Sequence, residues 1–464
     1  MKFLYYDLIF LVAFCLFVFI FLKSKRKNIQ REGIVFLYRT KVGLKFITNT
    51  AKKLKKILNP AGYASIILGF IMMILMFYLL IKSVFLTAAM PISAPPILPL
   101  VPYVPQAFNL PLPPFYFTYW IVIIIIIAVV HEFAHGIFAK HNNIKVKSTG
   151  FGFLGPFLAA FVEPDEKQLV KKKPKSQLEI FSAGSFSNLI FAVIFLLILQ
   201  LFFVLAYQPA GIGFNTAYTS INVSEIKSIG NYSAAAFLNL SNKQLAQINT
   251  TLAVMTDNQT YYLAPDLIKD IPISKRIIEK YNAIAVYQDT PAFRADLRGG
   301  IEKIGDYKIK KVEDVARALA NYTPGETITI KTSEGEYQLT FGKNPQNESR
   351  PYLGLSFVQK KGGFSGFIST VTSPFFSPET YVKSRGNEPT TTFFRDLLVW
   401  LTLISFLVAL FNMLPVGFLD GGRMFYVLML MITKSKKKSK NGLAIASYIV
   451  LIIILAMLFV WFMG

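Results

Sequence analysis

The sequence predicts a polytopic α-helical membrane protein of about six transmembrane helices, with an extracytoplasmic mixed α/β domain between the fourth and fifth. Three observations predict it. Hydrophobic residues make up 53% of the 464 residues and charged residues only 16%, against about 25% charged in ordinary soluble domains. The apolar residues run in six blocks, near 4–22, 61–88, 116–139, 178–206, 396–433 and 442–462, and about 20 apolar residues cross roughly 30 Å of hydrocarbon. The net charge of +23 is also unevenly spread.

Charge sets the topology. Residues 23–56 hold 12 Lys/Arg and one acid, 140–177 hold 8 Lys and 3 acids, and 434–441 hold 5 Lys and no acid. The stretch 206–395 is nearly balanced, with 21 basic and 17 acidic residues. Basic loops stay cytoplasmic. In the first block the positive charges follow the apolar run, so it reads as an anchor with its N-terminus outside and not as a signal peptide. Alternating spans then put 23–60, 140–177 and 434–441 inside, and the Pro-rich stretch Pro91–Pro114 and residues 207–395 outside. All three basic segments fall on one side. A basic but charge-poor chain is a poor nucleic-acid binder, and the excess charge suits anionic lipid headgroups. The single Cys15 excludes a disulfide framework and a cysteine zinc cluster.

Residues 1–115 hold two accessory spans and a linker, and 116–206 the third and fourth spans. The outer region is 207–358, followed by a linker 359–395 and the last two blocks in 396–464. Asn-X-Ser/Thr sequons occur at Asn222, Asn231, Asn239, Asn249, Asn258, Asn321 and Asn347. All seven lie in the outer segment, where chance pairing gives about one or two. Residues 282–343 alternate like a small domain: a strand at Ala283–Tyr287, a turn at Thr290–Pro291, a helix at Val312–Asn321 ended by Pro324–Gly325, and a hairpin around Glu334–Gly335. This order resembles a PDZ domain of the bacterial protease type, carried by TPAFRADL, IGDYKI, EDVARAL and PGETITIKTSEGEYQLTF. Residues 207–281 read as a polar insertion.

The third span contains His131-Glu132-Phe133-Ala134-His135. Positions i and i+4 share a helix face, so both imidazoles can reach one metal, with the Glu beside its water. Ionisable groups inside a span cost about 2.5–3.5 kcal/mol each and are functional by default. His141, the remaining histidine, faces away from the pair. A third ligand must come from elsewhere, since zinc hydrolases commonly use two His and a carboxylate. Asp420 is the candidate, an acid deep in an apolar block, beside Pro415, Gly417, Gly421 and Gly422. Pairing with Arg423 is the alternative use of this acid. Broken backbone at membrane depth is tolerated where protein or a cavity surrounds it. A straight helix over 396–433 would be ~57 Å long, too long for a bilayer, so the block is expected to break near Pro415–Gly422.

HEFAHG followed by NMLPVGFLDGG resembles the site-2 protease family of intramembrane zinc metalloproteases. Ala183-Gly184-Ser185-Phe186-Ser187-Asn188 resembles that family's AGPxxN, with Ser185 where Pro is usual. Gly150 to Glu163 resembles its membrane-associated hairpin. The resemblance covers 116–206 and 396–432, and a PDZ-like insert between the halves is a family feature. Spans 1, 2 and 6 are peripheral by comparison. The resemblance implies that His131, His135 and Asp420 ligate zinc and that Glu132 is the general base, the assignment the residue chemistry also gives. Asn188, Asn412 and Gly184 are candidate substrate or oxyanion groups, and each Asn could instead bind a neighbouring helix.

The function these residues predict is a zinc-dependent endopeptidase acting in or near transmembrane segments of single-span membrane proteins. His131 lies nine residues before Lys140, ~13 Å from the inner boundary, so the site is expected to open to the cytoplasmic side. A membrane helix hides its peptide bonds and must unwind to be cut. The hairpin near 150–163 could hold it as an added strand. The outer domain could act as a size filter. A metal transporter or channel is the rival, but no internal repeat is present.

Overall fold

The computed structural model describes residues 2–25, 29–33, 35–89, 97–108, 112–154, 157–357 and 379–463. Gly155 and Pro156 of the hairpin, part of the Pro-rich stretch and most of the linker 359–395 lie outside the described residues. The chain divides into two compact units, 1–197 with 396–464, and 198–395.

Among the described residues the apolar blocks form six helices long and apolar enough to cross a membrane. They are α1 (Lys2–Ser24), α3 (Lys55–Ala89), α5 (Phe117–His141), α7 (Pro174–Ala206), α13 (Glu388–Phe411) and α15 (Lys436–Met463). Shorter helices are α2 (Leu44–Lys53), α4 (Val104–Ala107), α6 (Glu166–Leu169) and α14 (Asp420–Thr433). The long block 396–433 is α13 and α14 with a non-helical segment 412–419 between them. Pro415 has no N–H to give a helix and its ring clashes with the carbonyl four residues back. The segment turns tightly, with Val416 N–H donating to Leu414 O (2.8 Å) and Gly421 N–H to Asn412 O (2.8 Å). Gly421 and Gly422 fit because a Cβ on either would overlap the carbonyl of Met413 or Val416.

Spans 1 and 2 pack into this unit, with Leu58, Met72 and Met73 of α3 buried in its core. Strands β1 (Ile29–Glu32) and β2 (Val35–Thr40) follow α1 and join the hairpin β3 (Val146–Leu154) and β4 (Phe157–Pro164) in one antiparallel sheet, ordered β1-β2-β3-β4. Arg39 on β2 reaches across to Glu163 on β4 (3.3 Å). The Ser148 hydroxyl (2.6 Å) and then Arg39 hold the Glu163 carboxyl below its usual range. Asp7 of α1, 1% exposed, caps α5 from another helix: its carboxylate accepts from Phe117 N–H (2.8 Å), Thr118 N–H (2.8 Å) and the Tyr103 hydroxyl (2.5 Å). Ile47 of α2 is fully buried in the same core as Phe138, Val162 and Met424. A sequence comparison of spans cannot see such ties, because strand pairing and capping across helices are long-range.

The second unit has two cores. A sheet ordered β15-β14-β12-β5-β19 comprises β5 (Tyr207–Ile212), β12 (Ile301–Ile304), β14 (Thr327–Thr332), β15 (Glu336–Thr340) and β19 (Thr380–Ser384), with β13 (Tyr307–Lys308) against β12. It carries α11 (Pro291–Arg294) and α12 (Val312–Leu319), whose Ala292, Val315 and Ala318 are buried with Ile301, Ile304 and Ile330 of the sheet. The expected helix and hairpin are therefore present. The other core is a five-stranded sheet, β7-β11-β10-β9-β8, made of β7 (Tyr218–Asn222), β8 (Ile226–Ile229), β9 (Leu252–Thr256), β10 (Thr260–Leu263) and β11 (Ala283–Gln288). Helices α8 (Ala234–Leu238), α9 (Asn242–Gln247) and α10 (Pro265–Tyr281) complete it. The expected strand at 283–287 exists, but it belongs to this sheet: Ile284 and Val286 pack with Ile221 and Val254. The stretch 207–281 is thus folded, in elements too short for their periodicity to announce them. Two small ribbons, β6 (Asn215–Thr216) with β18 (Leu355–Ser356) and β16 (Gly342–Asn344) with β17 (Asn347–Tyr352), finish the unit.

Candidate metal centre

His131 and His135 are buried one turn apart on α5, their rings 4.7 Å apart and edge to face. Asp420 is the first residue of α14, where the chain resumes helix after the break. Their facing atoms form an equilateral triangle. His131 Nε2 and His135 Nε2 are 3.1 Å apart, and each is 3.1 Å from Asp420 Oδ2. Four donors about 2.0–2.1 Å from a tetrahedral zinc stand about 3.3 Å from one another. Two nitrogens and a carboxylate oxygen at this spacing are the donor set and the separation that zinc requires, with a fourth position left for water. Among the described residues the metal-capable group is these three, and it does not include His141. Arg423 does not take up Asp420; its guanidinium lies over the Phe181 ring at 5.6 Å.

Helix α7 orients the ligands. Ile180, Gly184 and Asn188 are four residues apart and share one stripe. His135 Nδ1–H donates to Ile180 O (2.6 Å), and His131 Nδ1 is 3.1 Å from the Asn188 amide. A histidine bound to metal through Nε2 carries its proton on Nδ1, so the Asn188 oxygen is the end that accepts. This orientation also satisfies an otherwise orphaned buried Oδ1. Such partners fix tautomer and ring direction. Gly184 sits between them: a Cβ there would overlap His135 Nε2 and His131 Nε2. Asn188 is therefore engaged with a ligand ring, and Gly184 provides clearance. Asn412 contributes its backbone carbonyl to the helix break and its side chain is half-buried. The Ile180 carbonyl was invisible from the sequence, since a backbone acceptor leaves no residue signature.

Glu132 follows His131 and turns toward the hairpin sheet. Its Oε2 accepts from Val162 N–H on β4 (2.9 Å). That N–H therefore points away from β3, and by strand alternation the outer edge of β4 also carries the polar groups of Ala160 and Leu158. No described strand lies beyond β4.

Two histidines on a span-length helix, an aspartate at a helix break and an adjacent glutamate define a metallohydrolase centre set among membrane-type helices. The comparisons agree. Residues 119–457 match the family model of peptidase family M50, and the chain belongs to that family, the site-2 protease group of zinc metalloproteases. An uncharacterized protein of Methanocaldococcus jannaschii is 34% identical over 192 residues, 39% of this chain and about half (48%) of that protein's length. A Clostridium perfringens protein named "putative zinc metalloprotease" is 24% identical over 319 residues, 67% of this chain and 82% of its own.

Proposed function

We propose that the protein is an intramembrane endopeptidase that hydrolyses peptide bonds in or near the spans of single-span membrane proteins. The observation that carries this is the triangle of His131, His135 and Asp420 beside Glu132, on helices apolar enough to lie in a bilayer. His131, His135 and Asp420 hold the zinc, which when bound supplies Lewis acidity toward the scissile carbonyl and lowers the pKa of a water to about 7. Glu132 takes the water's proton and returns one to the leaving amine. An unwound substrate segment adds to the edge of β4, where main-chain hydrogen bonds hold it extended beside Glu132. The site opens to the cytoplasmic side and 207–395 lies outside the membrane, a placement that the basic loops support.

The test is Glu132→Gln in lipid vesicles with a single-span substrate. Cleavage is expected to stop with zinc still bound. Cleavage that persists in the zinc-loaded variant would end the assignment of Glu132 and of this mechanism. A metal transporter is disfavoured, because the donor set is accompanied by a base.

A further inference from the structure

The reaction leaves the seven sequons unused. All seven asparagines are exposed, and all lie in the unit 198–395. None sits in the interior of an element. Asn231 is in the turn that joins the bridged residues Ile229 and Tyr232, and Asn258 is in the turn of the β9–β10 hairpin. Asn222 is the last residue of β7, and Asn347 the first of β17. Asn239 and Asn249 follow helices α8 and α9. Turns and element ends are where an acceptor asparagine can be drawn into another enzyme's site without unmaking a ladder.

Local geometry agrees at two of them. At Asn222 the side-chain oxygen accepts from the Ser224 hydroxyl (3.0 Å), and at Asn347 from the Ser349 hydroxyl (2.6 Å) and N–H (3.1 Å). The sequon hydroxyl thus already meets the carboxamide, and the amide nitrogen is left as the reacting end. Helix capping explains some of the hydroxyls: Ser233 caps α8 and Ser241 caps α9. Capping also engages Asn239, the C-cap of α8, and Asn222, which caps the short turn Val223–Glu225, but it does not explain Asn231, Asn258 or Asn347. Asn321 is the poorest acceptor, since its amide nitrogen donates to Arg317 O (2.9 Å).

We infer that this unit is N-glycosylated, with Asn222, Asn231, Asn258 and Asn347 as the leading acceptors. The sugar donor is an oligosaccharide activated on a lipid phosphate. A bond forms between the Asn amide nitrogen and the sugar anomeric carbon. The bond from that carbon to phosphate oxygen breaks, the lipid phosphate leaves with the electron pair, and the amide proton passes to a base of the transferase. The inference rests on the outward placement proposed above.

The protein purified from its native membranes should exceed its sequence mass of 52.2 kDa. Glycopeptide mass spectrometry should find sugar on these asparagines. Asn222→Gln, Asn258→Gln and Asn347→Gln should each lower the mass by one glycan and leave zinc content and cleavage unchanged. A parallel arm uses Lys243→Cys in a Cys15→Ser background with a membrane-impermeant thiol reagent on intact cells. Labelling from outside with no added mass overturns glycosylation and leaves the placement standing. No labelling and no added mass overturns both.

Discussion

The backbone N–H of Val162 donates to Glu132 Oε2 at 2.9 Å, so the edge strand of the hairpin sheet holds the carboxylate that stands beside the metal ligands. The contact ties two jobs together, aiming the base and presenting the edge on which an extended substrate would lie. Because this N–H faces away from β3, proline at 162 removes the donor without removing a ladder bond. Val162→Pro is expected to retain zinc and to lose about tenfold or more in kcat, since a hydrogen bond to a charged group is worth about 1.5–3 kcal/mol. Single-turnover cleavage with zinc stoichiometry measures this. An unchanged kcat would mean that Glu132 is aimed by something else.

Gly184 leaves room for the ligand nitrogens of both histidines. Gly184→Ala is expected to displace at least one ring and to abolish tight zinc binding, while circular dichroism reports unchanged helix content. Metal analysis after dialysis is the check. Full zinc occupancy in the variant would show that α7 can retreat at no cost.

Asp7 fastens α1 to the start of the metal-bearing helix. Losing a cap typically costs about 1 kcal/mol, and up to about 2, and here the buried Phe117 N–H and the half-buried Thr118 N–H would also lose their acceptor. Asp7→Ala should lower stability by about 2 kcal/mol and speed hydrogen exchange in the first turn of α5. Asp7→Asn, which keeps an acceptor, should fall between. Equal exchange in all three proteins would contradict the capping role.

The chain enters and leaves the five-stranded sheet of the second unit at one place. Tyr218 pairs with Tyr287, and Gln288 N–H donates to Ala217 O at 3.0 Å. Excising 218–287 should therefore leave the six-stranded sheet folded, whereas a cut at 282 would open both sheets. If the unit filters substrates by size, the excised protein should cleave substrates with large outer domains faster than the full chain does, while short ones are unaffected. An identical preference in both would remove the five-stranded part from any filter.

Much of the site was legible because its logic is local. HEFAH places two imidazoles by helix geometry alone, and Asp420 announces itself as an acid among apolar residues with Pro415 and paired glycines around it. The helix break followed from the same residues, and the six spans from the lengths of the apolar blocks. The unit 198–395 was harder. Strands of four to six residues carry little period, and nothing in AIAVY says which sheet will take it.

The sequence by itself determined the spans, the ligand set and the chemistry they imply, because hydrocarbon length, helix periodicity and metal coordination act over a few residues. Only the tertiary structure decided that Asp420 meets the histidines at 3.1 Å, that Asn188 and the Ile180 carbonyl steady the rings, and that Val162 holds Glu132. It also decided that the N-terminal segment is part of the site's frame: β2 covers one side of the hairpin and leaves β4 as the edge, and Asp7 caps α5. These relationships join residues tens to hundreds of positions apart. Burial and backbone hydrogen bonding fix them once the whole chain has packed, and no short window of sequence contains both partners.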